Sequence, residues 1–591
     1  MTMPFYPPSW VPELPLDTIP DSIPISEFVL NETYGRSPLV HSKAPFVCGL
    51  SGRAYSASNV ALRVELLARA LAREFAWQPG TGSSWKKVVA IFALNTIDSL
   101  PLSWAVHRLS GIVSPANAAY SVSELAYQLR ASKAKALFTC WPLLATAQAA
   151  ARNAGIAEKN IYILAMPEEA LAGTTGKLEG FKTVDQLIAE GQTSPPVQEL
   201  VWETGQGARQ CAFLNFSSGT TGLPKGVMVS HRNVIANILQ MCAFENPSRK
   251  PAQQNVVLGL LPQSHIYGLI VVCHVSIYRG ESVVVLPKFD LKTFLNAIER
   301  FRINVLFVVP PIVITILNSK HVLDGYDLSS VTEIFTGAAP LEASTCHMLL
   351  KQYPSWKIRQ AYGLTESATV VSATSADDIV LGTSGSLLPG IQARLISLST
   401  GADITDHNTP GELLVRSPSV TVLGYLGNPT ATAETFGTPG DEWLRTGDEA
   451  MFVRNGPEGH SHLVIVDRIK ELIKVKGHQV APAELEACLL AHSLVADAAV
   501  ISVPDPAAGE VPKAFLVLKQ SGAGQKPLSS EQIKTEIQEY VQKEKARYKW
   551  LKGGVEIVDA IPKSPSGKIL RRVLRDAERE KRRIAATSAK L

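Results

Sequence analysis

No pair among the seven cysteines is spaced Cys-x-x-Cys. Scattered through apolar runs, they read as buried thiols of a reducing compartment, and Cys273-His274 as core rather than a metal site. A large charge imbalance is also missing. The formal net charge is +4, so bulk electrostatics give no reason to expect a nucleic acid partner, although the segment from Lys470 onward carries about seven excess positive charges. The first thirty residues lack a basic start and an apolar segment, which excludes a recognisable secretory signal. No transmembrane segment is expected. The most lipid-like stretch, Val256 to Tyr278, is broken by Pro262-Gln-Ser-His265, and the run Ile303 to Pro311 is too short and stops at a proline pair. Low-complexity tracts and internal repeats are absent. What remains, at 591 residues, 46% hydrophobic and 19% charged with 41 Gly and 38 Pro, is a loop-rich globular chain of about three to four domains or subdomains.

Against that background one segment stands out, Ser217-Ser-Gly-Thr-Thr-Gly-Leu-Pro-Lys-Gly226. Gly219, Gly222 and Gly226 permit close backbone approach, Ser217, Ser218, Thr220 and Thr221 offer hydroxyl donors, and Lys225 adds charge; together they suit the phosphates of ATP. An apolar strand, Cys211 to Phe216, leads into it, and Val227 to Ala236 continues as strand or helix. A Walker loop is excluded, because Gly226 stands where that motif needs Ser or Thr.

Around this loop, apolar β-rich runs alternate with helical patterns. Lys87–Phe92 and Lys135–Thr139 read as strands, Ser99–Ser110 as a helix, and Ser121-Val-Ser-Glu124 as a capping box opening another helix. Further strands are expected at Ser282–Leu286, Val305–Val309 and Glu333–Thr336. The class is therefore α/β, with largely parallel sheets covered by helices. From about 382 to 467 short strands punctuated by Gly, Pro, Asn and Asp suggest a small β-rich subdomain. A charged stretch then marks a boundary near Asp467 to Lys470, dividing residues 1–467 from a smaller α+β unit at 468–591.

Four more clusters carry groups that nucleotide chemistry uses: Gln360-Ala-Tyr-Gly-Leu-Thr-Glu-Ser367, Glu442-Trp-Leu-Arg-Thr-Gly-Asp448, the cation-rich Asp467 to Gln479, and Pro562-Lys-Ser-Pro-Ser-Gly-Lys568. In this order, after the Ser217 loop, they resemble the adenylate-forming superfamily of acyl-CoA synthetases, adenylation domains and luciferases over nearly the whole chain. The run from Val466 to Glu486 is most similar to the 4-coumarate:CoA-ligase-like branch. That resemblance implies a large N-terminal domain of two αβα subdomains plus a distorted β-barrel, and a small mobile C-terminal lid. It implies ATP, Mg²⁺ and CoA as cofactor and co-substrates, and an acid converted to an acyl-adenylate and then to a thioester.

Residue by residue, the resemblance makes Lys568 the lysine that stabilises charge at the α-phosphate. Thr365 contacts phosphate, Glu366 helps hold the metal, Tyr362 covers adenine, and Asp448 with Arg468 holds the ribose. Lys470 matches the hinge; rotation about it withdraws Lys568 and brings in Lys474, with Gly477 leaving room for the pantetheine thiol. His265 gates an acyl pocket lined by Tyr267, Val271, Phe335, Ala338 and Ala361, which is mostly apolar and implies a hydrophobic aryl or medium-chain acid. Thr369 and Phe335 depart from the branch's pattern in ways that weigh against a coumarate preference, while Glu442 and His478 depart near the lid. The terminal Ala589-Lys590-Leu591 resembles a peroxisomal signal and implies an import receptor as partner. Loading of a free-standing carrier protein and luciferase-like oxidation are alternatives that share the first half-reaction.

Overall fold

The computed structural model describes residues 4–171, 180–217, 224–249, 254–437, 443–454, 459–476, 478–519, 529–564 and 567–588. Two large sheets form the N-terminal part. In the seven-stranded sheet Val88–Phe92, Ile112–Ala116, Ala136–Thr139, Ile161–Ile163, Lys182–Thr183 and Cys211–Ser217 run parallel, and Lys225–Ser230 closes one edge antiparallel. The central strands are buried along their full length, as expected of predominantly apolar strands covered on both faces.

The nine-stranded sheet has a parallel centre of Val256–Gly259, Ser282–Val285, Val305–Val308, Glu333–Thr336 and Lys357–Leu364, with antiparallel strands at both edges. Helices follow from local chemistry. The Ser121 box is present: Ser121 donates its backbone N–H to Glu124 Oε2 at 2.9 Å and accepts that of Glu124 at 3.4 Å. An equivalent box of Ser230 and Asn233 opens the buried helix His231–Glu245. The Val256–Tyr278 stretch, expected as strand, loop and helix, contains a nine-residue π-helix, Tyr267–Val275, that sequence periodicity did not announce. Among the described residues no helix is long and apolar enough to cross a membrane.

The expected β-rich subdomain is an antiparallel five-stranded sheet whose outer strand Ser461–Arg468 is stitched to the larger sheet through Ser384, Leu463 and Gly385 backbone bonds. Beyond Arg468 lies a separate α+β unit with its own apolar core. Its sheet is built on the hairpin Val495–Asp505 and Gly509–Leu518, packed against Pro482–Leu490, Ser530–Glu544 and Arg571–Ser588.

Candidate functional site

The expected phosphate-binding segment begins on one strand of a β-hairpin and ends on the other. Ser217 ends one strand and pairs with Lys225, the first residue of the return strand. Ser218, Gly219, Thr220, Thr221 and Gly222 lie outside the described residues. Lys225 places its ammonium 4.8 Å from the centre of the Tyr425 ring, and the Tyr425 hydroxyl donates to Glu366 Oε1 at 2.8 Å. Burial, then the Glu366 carboxylate, raise the Tyr425 hydroxyl's pKa, so it stays a donor. Tyr425 was not singled out from sequence. Its Gly424-Tyr-Leu-Gly-Asn-Pro429 setting marks a turn but no charge chemistry.

Thr365 and Glu366 occupy a short 3₁₀ turn, Thr365–Ser367, at the end of the Lys357–Leu364 strand. Leaving this turn, Thr369 adopts φ +108°, which a proline ring, fixed near −65°, cannot reach. The Thr369 hydroxyl donates to Ile266 O at 3.2 Å, tying the turn to the His265 segment.

Tyr362 and Asp448 come together: the phenol donates to Asp448 Oδ2 at 2.6 Å. Arg468 lies directly opposite Asp448 in the Leu444–Arg454 and Ser461–Arg468 ladder, its Nε 3.5 Å from Oδ1. Burial raises the Asp448 pKa, opposed by Arg468 and the Tyr362 bond. A desolvated carboxylate held on one side suits two sugar hydroxyls on the other. Glu442 lies outside the described residues.

Lys568 stands in a tight hairpin closed by Ser564 N–H to Lys568 O at 2.8 Å and Lys568 N–H to Ser564 Oγ at 3.1 Å. Gly567 rests on the large domain: a Cβ there would lie 3.0 Å from Val309 Cγ2 and 3.2 Å from Pro311 Cδ. The C-terminal unit thus packs its Lys568 hairpin against the large domain. Burial, followed by Arg468, lowers the Lys568 pKa to about 8, while Glu471 and Asp448 oppose that shift. His265 senses the same ammonium; burial first and Lys568 second lower its pKa to about 4, so its imidazole is neutral at physiological pH.

Tyr267 and Val271 are buried on the π-helix. The Tyr267 hydroxyl donates to Phe335 O at 2.9 Å. A Cβ at Gly337 would meet Ala361 O at 3.2 Å and the Tyr267 ring at 3.4 Å, so glycine there lets the ring lie against the strand. Phe335 is buried between Phe307, at 5.7 Å in an edge contact, and the Arg359 guanidinium, 5.0 Å over its ring. Arg359 is itself fixed by Glu245 at 2.7 Å and Glu333 at 2.8 Å, so the aromatic wall is held from behind. Ala361 is half-buried, whereas Ala338 is exposed in a left-handed conformation, φ +68°.

The remaining expected residues belong to the lid. Lys470 is exposed. Lys474 is also in solvent, on the Ile473–Val475 strand, its backbone N–H donating to Glu510 at 2.9 Å. This lid position therefore gathers Lys568, Asp448, Arg468 and His265 and leaves Lys474 outside. Gly477 is beyond the described residues. For Mg²⁺, no group of three His, Cys, Asp or Glu side chains forms a ready-made cage among the described residues. Glu366, with one oxygen held by Tyr425, offers the other, and this fits a cation held mainly by nucleotide phosphates.

Comparison with known proteins bears on the whole arrangement. Residues 36–426 match the AMP-binding enzyme family and residues 484–568 the AMP-binding enzyme C-terminal domain. The chain is 41% identical over 573 residues to the acyl-CoA ligase easD of Emericella nidulans, covering 97% of this chain and 100% of that protein. To the acyl-CoA ligase AKT1 of Alternaria alternata it is 41% identical, with 97% of each covered. In fold it is similar to the anthranilate CoA ligase AuaEII in complex with anthranoyl-AMP, TM-score 0.78 at 23% identity, covering 95% of this chain and 99% of that one. It is similar also to ATP-bound MatB from Rhodopseudomonas palustris, TM-score 0.75 at 24% identity, covering 94% and 98%. The chain belongs to the AMP-binding enzyme family, the adenylate-forming superfamily, as an ATP-dependent, AMP-forming ligase.

Proposed function

We propose that this enzyme is an acyl-CoA ligase of the 4-coumarate:CoA-ligase-like branch, activating a hydrophobic aryl or medium-chain carboxylic acid. The observation that carries this reading is the closed lid, which brings Lys568 beside Asp448, Arg468 and His265. A carboxylate is a poor electrophile. Its oxygen first bonds to the α-phosphorus of ATP as diphosphate leaves, giving an acyl-adenylate. The sulfur of CoA, losing its proton, then bonds to the acyl carbon as AMP departs.

In the first step negative charge grows at the α-phosphate, and the Lys568 ammonium stabilises it more than it stabilises bound ATP. Tyr362 covers the adenine and orients Asp448 towards the ribose, with Arg468 as a second, fixed donor. Thr365 contacts phosphate. Mg²⁺, when bound, neutralises phosphate charge, and Glu366 is the residue that would hold it. The neutral His265 admits the acid without offering a competing cation, and the Tyr267, Val271 and Phe335 surface favours an apolar body.

Because Lys568 fills the site in this lid position, the thiol needs the lid to turn. Lys470 is the hinge of this reading, and Lys474 and Gly477 are the residues rotation would present. Relatives described as acyl-CoA ligases support CoA as acceptor. The Ala589-Lys590-Leu591 ending, outside the described residues, supports import into peroxisomes; a tagged enzyme that stays peroxisomal without Leu591 would overturn that address. A panel of aryl and medium-chain acids with ATP and CoA, read as AMP and acyl-CoA, tests the function. The expected result is AMP formation coupled one-to-one to thioester. AMP and diphosphate without thioester would point to a different acceptor.

A further inference from the structure

The candidate hinge lies between two anchors. On one side Ile469 donates its backbone N–H to Gly447 O in the large domain at 3.0 Å. On the other, Glu471 is buried, and its carboxylate is ion-paired with Arg571. Arg571 opens the Arg571–Ser588 helix only three residues after Lys568. Its other edge spans Glu486, Nε to Oε1 at 3.2 Å and a terminal nitrogen to Oε2 at 2.7 Å. Glu486 is held in turn by the Val500 N–H at 2.8 Å. Between Arg571 and Lys568, Leu570 donates to Pro562 O at 2.8 Å, closing the hairpin base. A hydrogen-bonded path thus runs without slack from the residue after the hinge to the lysine at the chemistry.

We propose that Arg571 is a positioning residue of the adenylation step: held between Glu471 and Glu486, it makes the Lys568 hairpin and the lid side of the hinge one body, and with Glu471 it balances charge around the ammonium. This rests on the role given to Lys568 above. Two buried carboxylates, Glu471 and Glu486, share one guanidinium here. The charged groups acting on Lys568 are Arg468 and Asp448 from the large domain and Glu471 and Arg571 from the lid, with neutral His265 within reach of the same ammonium. Asp467 adds a further carboxylate towards Arg571 while its Oδ2 accepts the Ala483 N–H at 2.9 Å. Glu471 favours the charged lysine and Arg571 opposes it, so removing either moves its titration in opposite directions.

The test is the pH profile of ATP–diphosphate exchange in the full chain, for wild type, K568A, R571Q, R571K and E471Q. Thioester formation from supplied acyl-adenylate serves as the control for folding. R571Q should lose about tenfold or more in exchange, as misplacement of a reacting group does, with its alkaline limb moved upward by about one pH unit. E471Q should move that limb downward by about as much. R571K keeps the charge but not the fork, and should lose rate several-fold with the limb unmoved. If K568A exchanges normally, the reading of Lys568 fails. If K568A is inactive while E471Q and the Arg571 variants keep the wild-type rate and limb, this inference alone fails. Should R571Q not fold, an unmoved limb in E471Q together with full activity in R571K overturns it.

Discussion

Replacing Gly567 by alanine should separate the two half-reactions. In the closed lid Gly567 has φ +80°, and the new methyl group would lie 3.0 Å from Val309 Cγ2, 3.2 Å from Val309 Cβ and 3.2 Å from Pro311 Cδ. All three atoms belong to the large domain, on or beside the buried strand Val305–Val308, and Pro311 is rigid. Left-handed backbone at alanine costs about 1–2 kcal/mol in any lid position, so it lowers stability without choosing between reactions. The methyl contact exists only when the lid is closed. Forcing a methyl into such a joint costs about 1–3 kcal/mol, roughly a 5- to 150-fold fall in the closed population. The assays are ATP–diphosphate exchange for adenylation and release of AMP from supplied acyl-adenylate and CoA for thioester formation. Exchange should fall by that factor, with thioester formation within about twofold of wild type after correction for folded protein. Equal loss in both assays would refute the claim that Gly567 serves the closed lid, and undiminished exchange would refute the lid position itself.

Lys568→Ala should lose about 100-fold or more in exchange, the effect of deleting a transition-state charge partner; near-normal exchange would disprove its role. Because the Lys568 pKa is lowered to about 8, the ammonium is present below that pH and lost above it, so kcat/KM for adenylation should fall on an alkaline limb near 8, and His265, lowered to about 4, should add no acid limb near 6.5. Tyr425→Phe removes the donor to Glu366, a charge-assisted bond of about 1.5–3 kcal/mol, and should raise the Mg²⁺ concentration needed for half-maximal exchange about tenfold; an unchanged Mg²⁺ dependence would count against it. Lys470→Pro should slow thioester formation while exchange survives, and parallel loss of both would contradict a hinge at that residue.

Much of this protein was written locally. The Ser121 capping box, the buried strands at Val88–Phe92 and Val305–Val308, and the change of texture after residue 382 follow from periodicity and short-range hydrogen bonding, which depend on neighbours a few residues apart. What grouped Asp448, Tyr362, Glu366 and Lys568 into one expected site was the resemblance of their motifs to the adenylate-forming superfamily, not any local pattern. Distance in sequence set the limit. Tyr425 on Glu366, Thr369 on Ile266, Phe335 between Phe307 and Arg359, and Arg571 clamped by Glu471 and Glu486 are pairings across 59, 103, 24 and 100 residues at their widest or nearest, invisible to any local pattern. The π-helix at Tyr267–Val275 is likewise a tertiary choice, since its residues, apolar apart from His274, are buried throughout and carry no period of their own. Lid position, finally, is a matter of which surfaces meet. The sequence by itself supplied two cationic segments, one with Lys568 and one with Lys474; only the tertiary structure packs Gly567 on Val309 and Pro311 and leaves Lys474 in solvent, because that contact joins segments far apart in the chain that no local pattern relates.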